Sequence, residues 1–70
     1  MSDHVYSVSE IVGSSPESIE EAINVALVRA RKTLRHLHWF EVTEVRGYLN
    51  DEGAVDYYQV ALKLGFRMEN

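Results

Sequence analysis

The stretch of residues 55–68 alternates between apolar and polar side chains, and this alternation constrains the fold more than any other feature of the sequence. Its even positions form one apolar side, made of Tyr58, Val60, Leu62, Leu64, Phe66 and Met68. Because successive side chains of a strand point to opposite faces, this side is expected to be buried against another element. The opposite side carries Tyr57, Gln59, Ala61, Lys63, Gly65 and Arg67. The pattern therefore predicts a strand with one buried face and one open face.

An amphipathic helix, predicted over residues 16–35, is the element that covers the buried face. Its apolar positions recur at helical spacing: Ile19, Ala22, Ile23, Ala26, Leu27, Ala30 and Leu34. Ser15 and Pro16 give a start signal, because a serine hydroxyl caps free N–H groups and proline suits the first turn. The alanines on this stripe favour a close approach between helix and sheet.

Two further strands are predicted, over residues 5–12 and 39–49. The Asn-Asp-Glu-Gly turn of residues 50–53 joins the second of these to the strand at residues 55–68, giving a hairpin. We therefore expect an α+β fold in which residues 1–70 form one β-α-β-β domain. The three strands should form an antiparallel sheet, in the order 1-3-2, wrapped on one helix.

The middle strand changes phase, because Phe40 and Val42 are apolar at even positions but Val45 and Leu49 are apolar at odd ones. A bulge near residues 43–44 would keep all four on the helix side, since an extra residue turns the following side chains over.

This bulge would place Trp39 and Arg46 on the open face, away from the helix. Counting across the hairpin puts Arg46 opposite Tyr57 and next to Gln59. We expect these four side chains to converge, as an interface or as a ligand platform.

The apolar content is high for a chain of this size. None of the 70 residues is cysteine, and 46% are hydrophobic. A core this small rarely supplies more than about 3 to 5 kcal/mol, so small domains add disulfides, a metal or subunit contacts. Without cysteine, we expect a homo-oligomer whose subunits cover each other's apolar surface.

We expect partners other than nucleic acid or membrane. The net charge of −4 disfavours a general phosphate-backbone binder. No apolar run approaches the roughly 18 residues of a spanning helix. The absence of cysteine and the polar residues after Met1 give no sign of secretion, so we expect a cytoplasmic protein.

No catalytic constellation is evident. Ser14 and Ser15 suit a turn and a cap, and the acidic residues are scattered, so we expect a protein that is not an enzyme. His36 and His38 share one side of an extended stretch, but no third clustered ligand accompanies them, and we expect no metal site.

Basic residues gather near the end of the predicted helix, at Arg29, Arg31, Lys32 and Arg35. They either form a solvated face that suits the negative helix end or bind a phosphate group, together with Arg67 of another subunit.

The sequence resembles the dodecins, small flavoproteins of bacteria and archaea, over nearly its whole length. The resemblance rests on segments at characteristic spacings, namely Val12-Gly13-Ser14-Ser15, Ala30-Arg31-Lys32-Thr33-Leu34, Trp39-Phe40-Glu41-Val42, Arg46-Gly47, Tyr58-Gln59-Val60 and Gly65-Phe66-Arg67. It implies a hollow homododecamer of β-α-β-β subunits that binds, stores and sequesters FMN or riboflavin. Two flavins would stack between symmetry-related tryptophans at a subunit interface, and electron donation from the indole would quench the excited flavin.

The resemblance also assigns residues to this site. Trp39 matches the stacking residue, Gln59 the residue that hydrogen-bonds the isoalloxazine edge, and Arg46 a pocket residue of the bacterial branch. Tyr6 lies in the segment that approaches the flavin. Some bacterial dodecins also hold coenzyme A, and Arg29, Arg35 and Arg67 fall where its phosphates are contacted.

Two other functions are compatible with the residues themselves. One is a purely structural or adaptor oligomer, whose open-face aromatic residues pack at an interface. The other is an enzyme that uses flavin for redox work, although no proton donor or substrate pocket is evident in the sequence.

Overall fold

The computed structural model of the chain describes residues 4–68. In chain order its elements are strand β1 (Tyr6–Ser15), helix α1 (Ile19–Ala30), strand β2 (Leu37–Leu49) and strand β3 (Val55–Arg67). The strands form one antiparallel sheet in the order β1-β3-β2, and α1 packs on one of its faces. The predicted β-α-β-β fold and strand order are therefore confirmed.

Strand β1 runs three residues further than predicted. Its backbone pairs with β3 through Gly13, opposite Val60, as far as Ser15, opposite Tyr58. The Ser15 hydroxyl is buried and accepts a hydrogen bond from the Glu17 N–H at 2.9 Å, so Ser15 closes the strand instead of capping the helix.

The helix is shorter than predicted at both ends. It begins at Ile19, where Ser18 is the N-cap and its Oγ accepts from the Glu21 N–H at 2.9 Å. It ends at Ala30, whose carbonyl oxygen accepts from the N–H groups of Thr33 and Leu34 at 3.1 and 2.9 Å. These bonds form a turn that closes the helix, and the chain then leads into β2.

The core lies between small residues of the helix and large residues of the central strand. Ala22, Ala26 and Ala30 meet the fully buried Val60, Leu62 and Leu64, which belong to the alternating side predicted from the sequence. Partly buried residues surround this cluster, namely Ile11, Ile23, Leu27, Leu34 and Leu37.

The helix is much shorter than the hairpin it covers. Its 12 residues span about 18 Å, whereas the 13 residues of β2 or β3 span about 43 Å. The helix packs mainly on β1 and β3. Phe40, Val42 and Val45 lie on the helix side of β2 but remain 46%, 40% and 51% exposed. A large apolar strip of the subunit is therefore left uncovered.

Gly13 permits the close approach of the helix to β1. A Cβ atom at this position would lie 2.1 Å from the Ala22 carbonyl oxygen and 2.9 Å from the Ala26 Cβ. Since one of these neighbours is backbone, a side chain cannot be accommodated by rotating a rotamer. The glycine and the alanines together set the distance between helix and sheet.

We predict that Gly13→Ala lowers the free energy of unfolding by about 1 to 3 kcal/mol or more, because it overpacks a rigid contact. Denaturant unfolding at a fixed protein concentration measures this change, since subunit association makes stability depend on concentration. Gly47→Ala is the matched control, because a Cβ there would meet nothing closer than 4.0 Å. Equal unfolding midpoints for Gly13→Ala and the parent would contradict the prediction.

Candidate ligand-binding site

The bulge predicted in β2 is present, and it determines which side chains face away from the helix. Val42 pairs with Leu62 and Glu44 pairs with Ala61, so Thr43 is the extra residue. The Thr43 hydroxyl donates to the Ala61 carbonyl oxygen at 3.2 Å. Because directly paired residues of antiparallel strands share a face, Trp39 and Arg46 both lie on the open face, as predicted.

The predicted partner of Arg46 is wrong: Arg46 lies opposite Gln59, and Tyr57 lies opposite Tyr48. The predicted turn is present, since Gly53 has a φ of 81° and its N–H donates to the Asn50 carbonyl oxygen at 3.0 Å. Beyond it, however, Leu49 pairs with Val55 and the register then shifts again before Tyr48. This second irregularity shifts the pairing of β2 with β3, so that Arg46 lies opposite Gln59 instead of Tyr57.

Trp39 lies flat on the backbone of Gly65, its partner on β3. A Cβ at Gly65 would lie 2.1 to 2.6 Å from three atoms of the indole, so only glycine leaves room for the ring. The residue is nevertheless 40% exposed, so part of the indole remains accessible. The indole is therefore an aromatic platform that packs against the sheet and remains accessible to a ligand.

Tyr6 flanks this platform and is fixed by His38. The Tyr6 hydroxyl lies 2.7 Å from His38 Nδ1, and the two rings are nearly parallel, with centroids 5.5 Å apart. The centroids of Tyr6 and Trp39 are 6.4 Å apart, and the rings are tilted by 45°. These three residues form what we call the aromatic triad.

Arg46 and Gln59 are joined directly. Arg46 Nη1 donates to Gln59 Oε1 at 3.1 Å, and Nη2 is paired with the Glu44 carboxylate. The guanidinium therefore occupies the amide oxygen and orients the side chain, leaving the amide NH₂ of Gln59 as a donor. Because Arg46 and Glu44 are exposed, this ion pair adds little stability and serves mainly to orient the group.

The aromatic triad and the Arg46–Gln59 pair lie at opposite ends of the open face. Trp39 is level with Gly65, and Gln59 is six positions away along β3, a distance of about 20 Å. A row of charged residues, Glu10, Lys63 and Glu41, lies between them. The residues share the open face, as predicted, but within one subunit they lie far apart along it.

The three arginines expected to contact phosphates lie on different elements. Arg29 is in the last turn of α1, Arg35 precedes β2, and Arg67 ends β3 opposite Tyr6. The Arg67 N–H donates to the His36 carbonyl oxygen at 3.1 Å. This bond brings Arg67 close to the chain segment that contains Arg35, whereas Arg29 lies on the helix.

Two contacts of the candidate site were not predicted from the sequence, namely Gly65 under the indole and His38 beside Tyr6. A glycine inside a strand often marks a close approach to another group, and Gly65 provided that signal in the sequence.

The described part of the chain contains no group of three or more metal-ligating side chains. Within the same residues, no helix has the length and apolarity needed to cross a membrane.

Comparison with known proteins identifies close relatives. A family model described as Dodecin matches residues 5–69. A curated dodecin of Thermus thermophilus is 58% identical over 65 residues, which cover 93% of each chain. The solved structure of dodecin from Streptomyces coelicolor is 54% identical, with a TM-score of 0.91 over 100% of this chain and 99% of that one. The tt0972 protein of Thermus thermophilus is 56% identical, with a TM-score of 0.89 over 97% and 98% of the two chains.

The support of the indole by Gly65 is testable on the protein without any ligand. We predict that Gly65→Ala lifts the ring off the sheet, which shifts its fluorescence to longer wavelength and makes acrylamide quenching more efficient. Trp39 is the single tryptophan, so the emission reports on this site alone. Gly47→Ala should leave the spectrum unchanged. Identical emission and quenching in Gly65→Ala and the parent would contradict the packing described above.

Proposed function

Because the chain belongs to the dodecin family, we propose that it binds flavin non-covalently at the interfaces of a homododecamer and thereby stores and sequesters it. The exposed indole of Trp39, held against Gly65, is the observation that carries this proposal. A flat, partly exposed aromatic surface suits a planar heterocycle such as the isoalloxazine of FMN or riboflavin.

The fit of the remaining residues supports a flavin ring rather than a purely apolar ligand. The Gln59 amide is oriented by Arg46 and can donate to a ring carbonyl. Tyr6 bounds one edge of the Trp39 platform. A pocket of this kind, mostly aromatic with a few placed polar groups, is typical of small-molecule sites.

The separation of the two groups supports a site between subunits. Because Trp39 and Gln59 of one subunit are about 20 Å apart, we propose that Trp39 of one copy and Gln59 of another approach the same flavin. A symmetric assembly repeats this arrangement at every equivalent interface. Twelve subunits, arranged as a hollow shell, are proposed from the family relationship, and the uncovered strip of Phe40, Val42 and Val45 offers apolar surface for the contacts.

The chemistry of storage requires no catalytic group. Bound flavin supplies a chromophore that becomes a strong one-electron oxidant when it absorbs light. The electron-rich indole of Trp39 is the group that would donate an electron to such an oxidant and take it back, so that the excitation would be lost without net reaction. We therefore propose a non-catalytic, cytoplasmic binder whose tryptophan also protects against photochemical damage.

Coenzyme A is proposed as a second ligand. Arg29, Arg35 and Arg67 are exposed and carry positive charge without a salt-bridge partner among residues 4–68. Guanidinium groups bind phosphate through paired hydrogen bonds, so three arginines from neighbouring subunits suit the phosphates of this coenzyme.

Trp39→Ala should weaken FMN binding by about 5-fold to 150-fold, since stacking on an aromatic side chain contributes about 1 to 3 kcal/mol per ring. Any flavin still bound should fluoresce, because the electron donor is gone. Titration of apoprotein into FMN and riboflavin, read by fluorescence, measures both effects, and native mass measurement establishes that the assembly is retained.

Gln59→Ala provides the contrast in that experiment. It removes the edge hydrogen bond but keeps the indole, so affinity should fall while the bound flavin stays dark. Val25→Ala is the control, because it shortens one exposed side chain of α1, on the opposite side of the sheet from the open face. An intact parent oligomer that neither binds nor quenches FMN would instead favour the structural or adaptor function.

Binding of coenzyme A should weaken as salt is added, because exposed charges would hold its phosphates. Replacing Arg29, Arg35 and Arg67 together by glutamine should abolish the binding seen at low ionic strength, whereas Arg31→Gln should retain it. Calorimetric titration measures this. Binding that persists in the triple variant, or that is absent from the parent at low salt, would refute the second ligand.

A further inference from the structure

The aromatic triad contains more chemistry than flavin stacking uses. Stacking and electron donation engage only Trp39, yet the phenol beside it forms a hydrogen bond to an imidazole nitrogen. The Tyr6 oxygen lies 2.7 Å from His38 Nδ1, a short distance for a hydrogen bond from hydroxyl to nitrogen. The Tyr6 hydroxyl donates this bond when the neutral imidazole carries its proton on Nε2, and we assign this tautomer to His38.

We propose that Tyr6 and His38 form a proton-coupled electron donor that reduces the oxidised indole of Trp39. This activity rests on the proposed function, since stacked flavin excited by light would be the oxidant that removes the electron from Trp39. In effect, the oxidised site moves from the indole that contacts the ligand to the phenol beside it.

The step balances in atoms and charge. One electron passes from the Tyr6 phenol to the indole radical cation, and the phenolic proton passes along the hydrogen bond to His38 Nδ1. The products are a neutral indole, a neutral phenoxyl radical and an imidazolium. The cycle closes when the electron that the flavin would have accepted returns to the Tyr6 phenoxyl and the proton moves back from His38, so both side chains are regenerated.

The hydrogen bond is what makes the phenol a suitable donor. A phenol that loses an electron becomes very acidic, so its oxidation is easier when a base already accepts the proton. The nearly parallel rings of Tyr6 and His38 hold that base in place, and the 6.4 Å separation of the Tyr6 and Trp39 centroids is short for electron transfer.

The other tyrosines of the same subunit are poorly placed for this role. Tyr48 and Tyr57 stack on each other, with centroids 4.7 Å apart, at the far end of the open face. Tyr57 lies eight positions from Gly65 along β3, a distance of about 26 Å. Tyr58 pairs with Ser15 and Gly47 and therefore lies on the helix side of the sheet.

Pulse radiolysis of the flavin-free protein tests the proposal without any bound cofactor. Azidyl radicals take one electron from the indole and become azide, and the absorbances of the tryptophan and tyrosine radicals are then followed. Because Trp39 is the single tryptophan, its radical is unambiguous. We expect a first-order decay of that radical, matched by an equal rise of tyrosyl radical, at a rate independent of protein concentration.

Three variants locate the donor. Tyr6→Phe keeps the ring but removes the hydroxyl, and should lose the tyrosyl rise and prolong the tryptophan radical. His38→Phe keeps a stacked ring without an acceptor nitrogen, and should slow the transfer several-fold while Tyr6 is still present. Tyr48→Phe, the matched control, should behave like the parent. Circular dichroism and native mass verify that each variant is folded and assembled.

The outcomes are decisive. A tyrosyl rise that survives in Tyr6→Phe, or that is absent from the folded parent, overturns the relay. A rate unaffected by His38→Phe removes the proton acceptor and with it the coupled step. The FMN titration fails or succeeds independently, because the radiolysis requires no flavin, so a failure of flavin binding is distinguishable from a failure of the relay.

Discussion

The difference in length between the helix and the hairpin is the constraint on which the rest of this structure depends. A helix of about 18 Å cannot bury a hairpin of about 43 Å, so the helix side of β2 stays largely uncovered. The open face on the other side of the sheet has no covering element at all within residues 4–68. Both faces of the sheet therefore carry surface that suits contact with further copies of the chain, which is what the proposed site between copies requires.

Much of the fold was predictable, because it follows from periodicity. The alternation in β3 predicts its buried side, and the change of phase in β2 predicts the bulge, which places Trp39 and Arg46 on one face. The helix start was wrong because Ser15 and Ser18 are both suitable caps. Only the pairing of Gly13 with Val60, which extends β1, assigns Ser15 to the strand. The length of β1 is set by its pairing with β3, which is distant in the sequence, and the residue types near Ser15 do not reveal that pairing.

The candidate site was less predictable than the fold. Residue type identified Trp39 and Gln59 as candidate site residues. Because they share a face, they were expected to lie close together, but six positions along β3 separate them by about 20 Å. The partner of Arg46 was wrong because the hairpin contains an irregularity near Tyr48 that no residue type announces. The contact between Trp39 and Gly65 depends on a rotamer, and the contact between Tyr6 and His38 joins strands that are not neighbours in the sheet.

The extra residue at Thr43 has a consequence at the level of the gene. Removing one codon there would restore a regular ladder, and in a strand a shift of one residue exchanges the two faces. With the later part of β2 held in place, Trp39 would turn toward the helix and Phe40 toward the open face. The subunit would lose its aromatic platform although every residue of the aromatic triad remained in the sequence. An in-frame deletion of this one codon would therefore exchange the two faces of the first part of β2. A sequence alignment that treats the position as an ordinary gap would not reveal that the aromatic platform is lost.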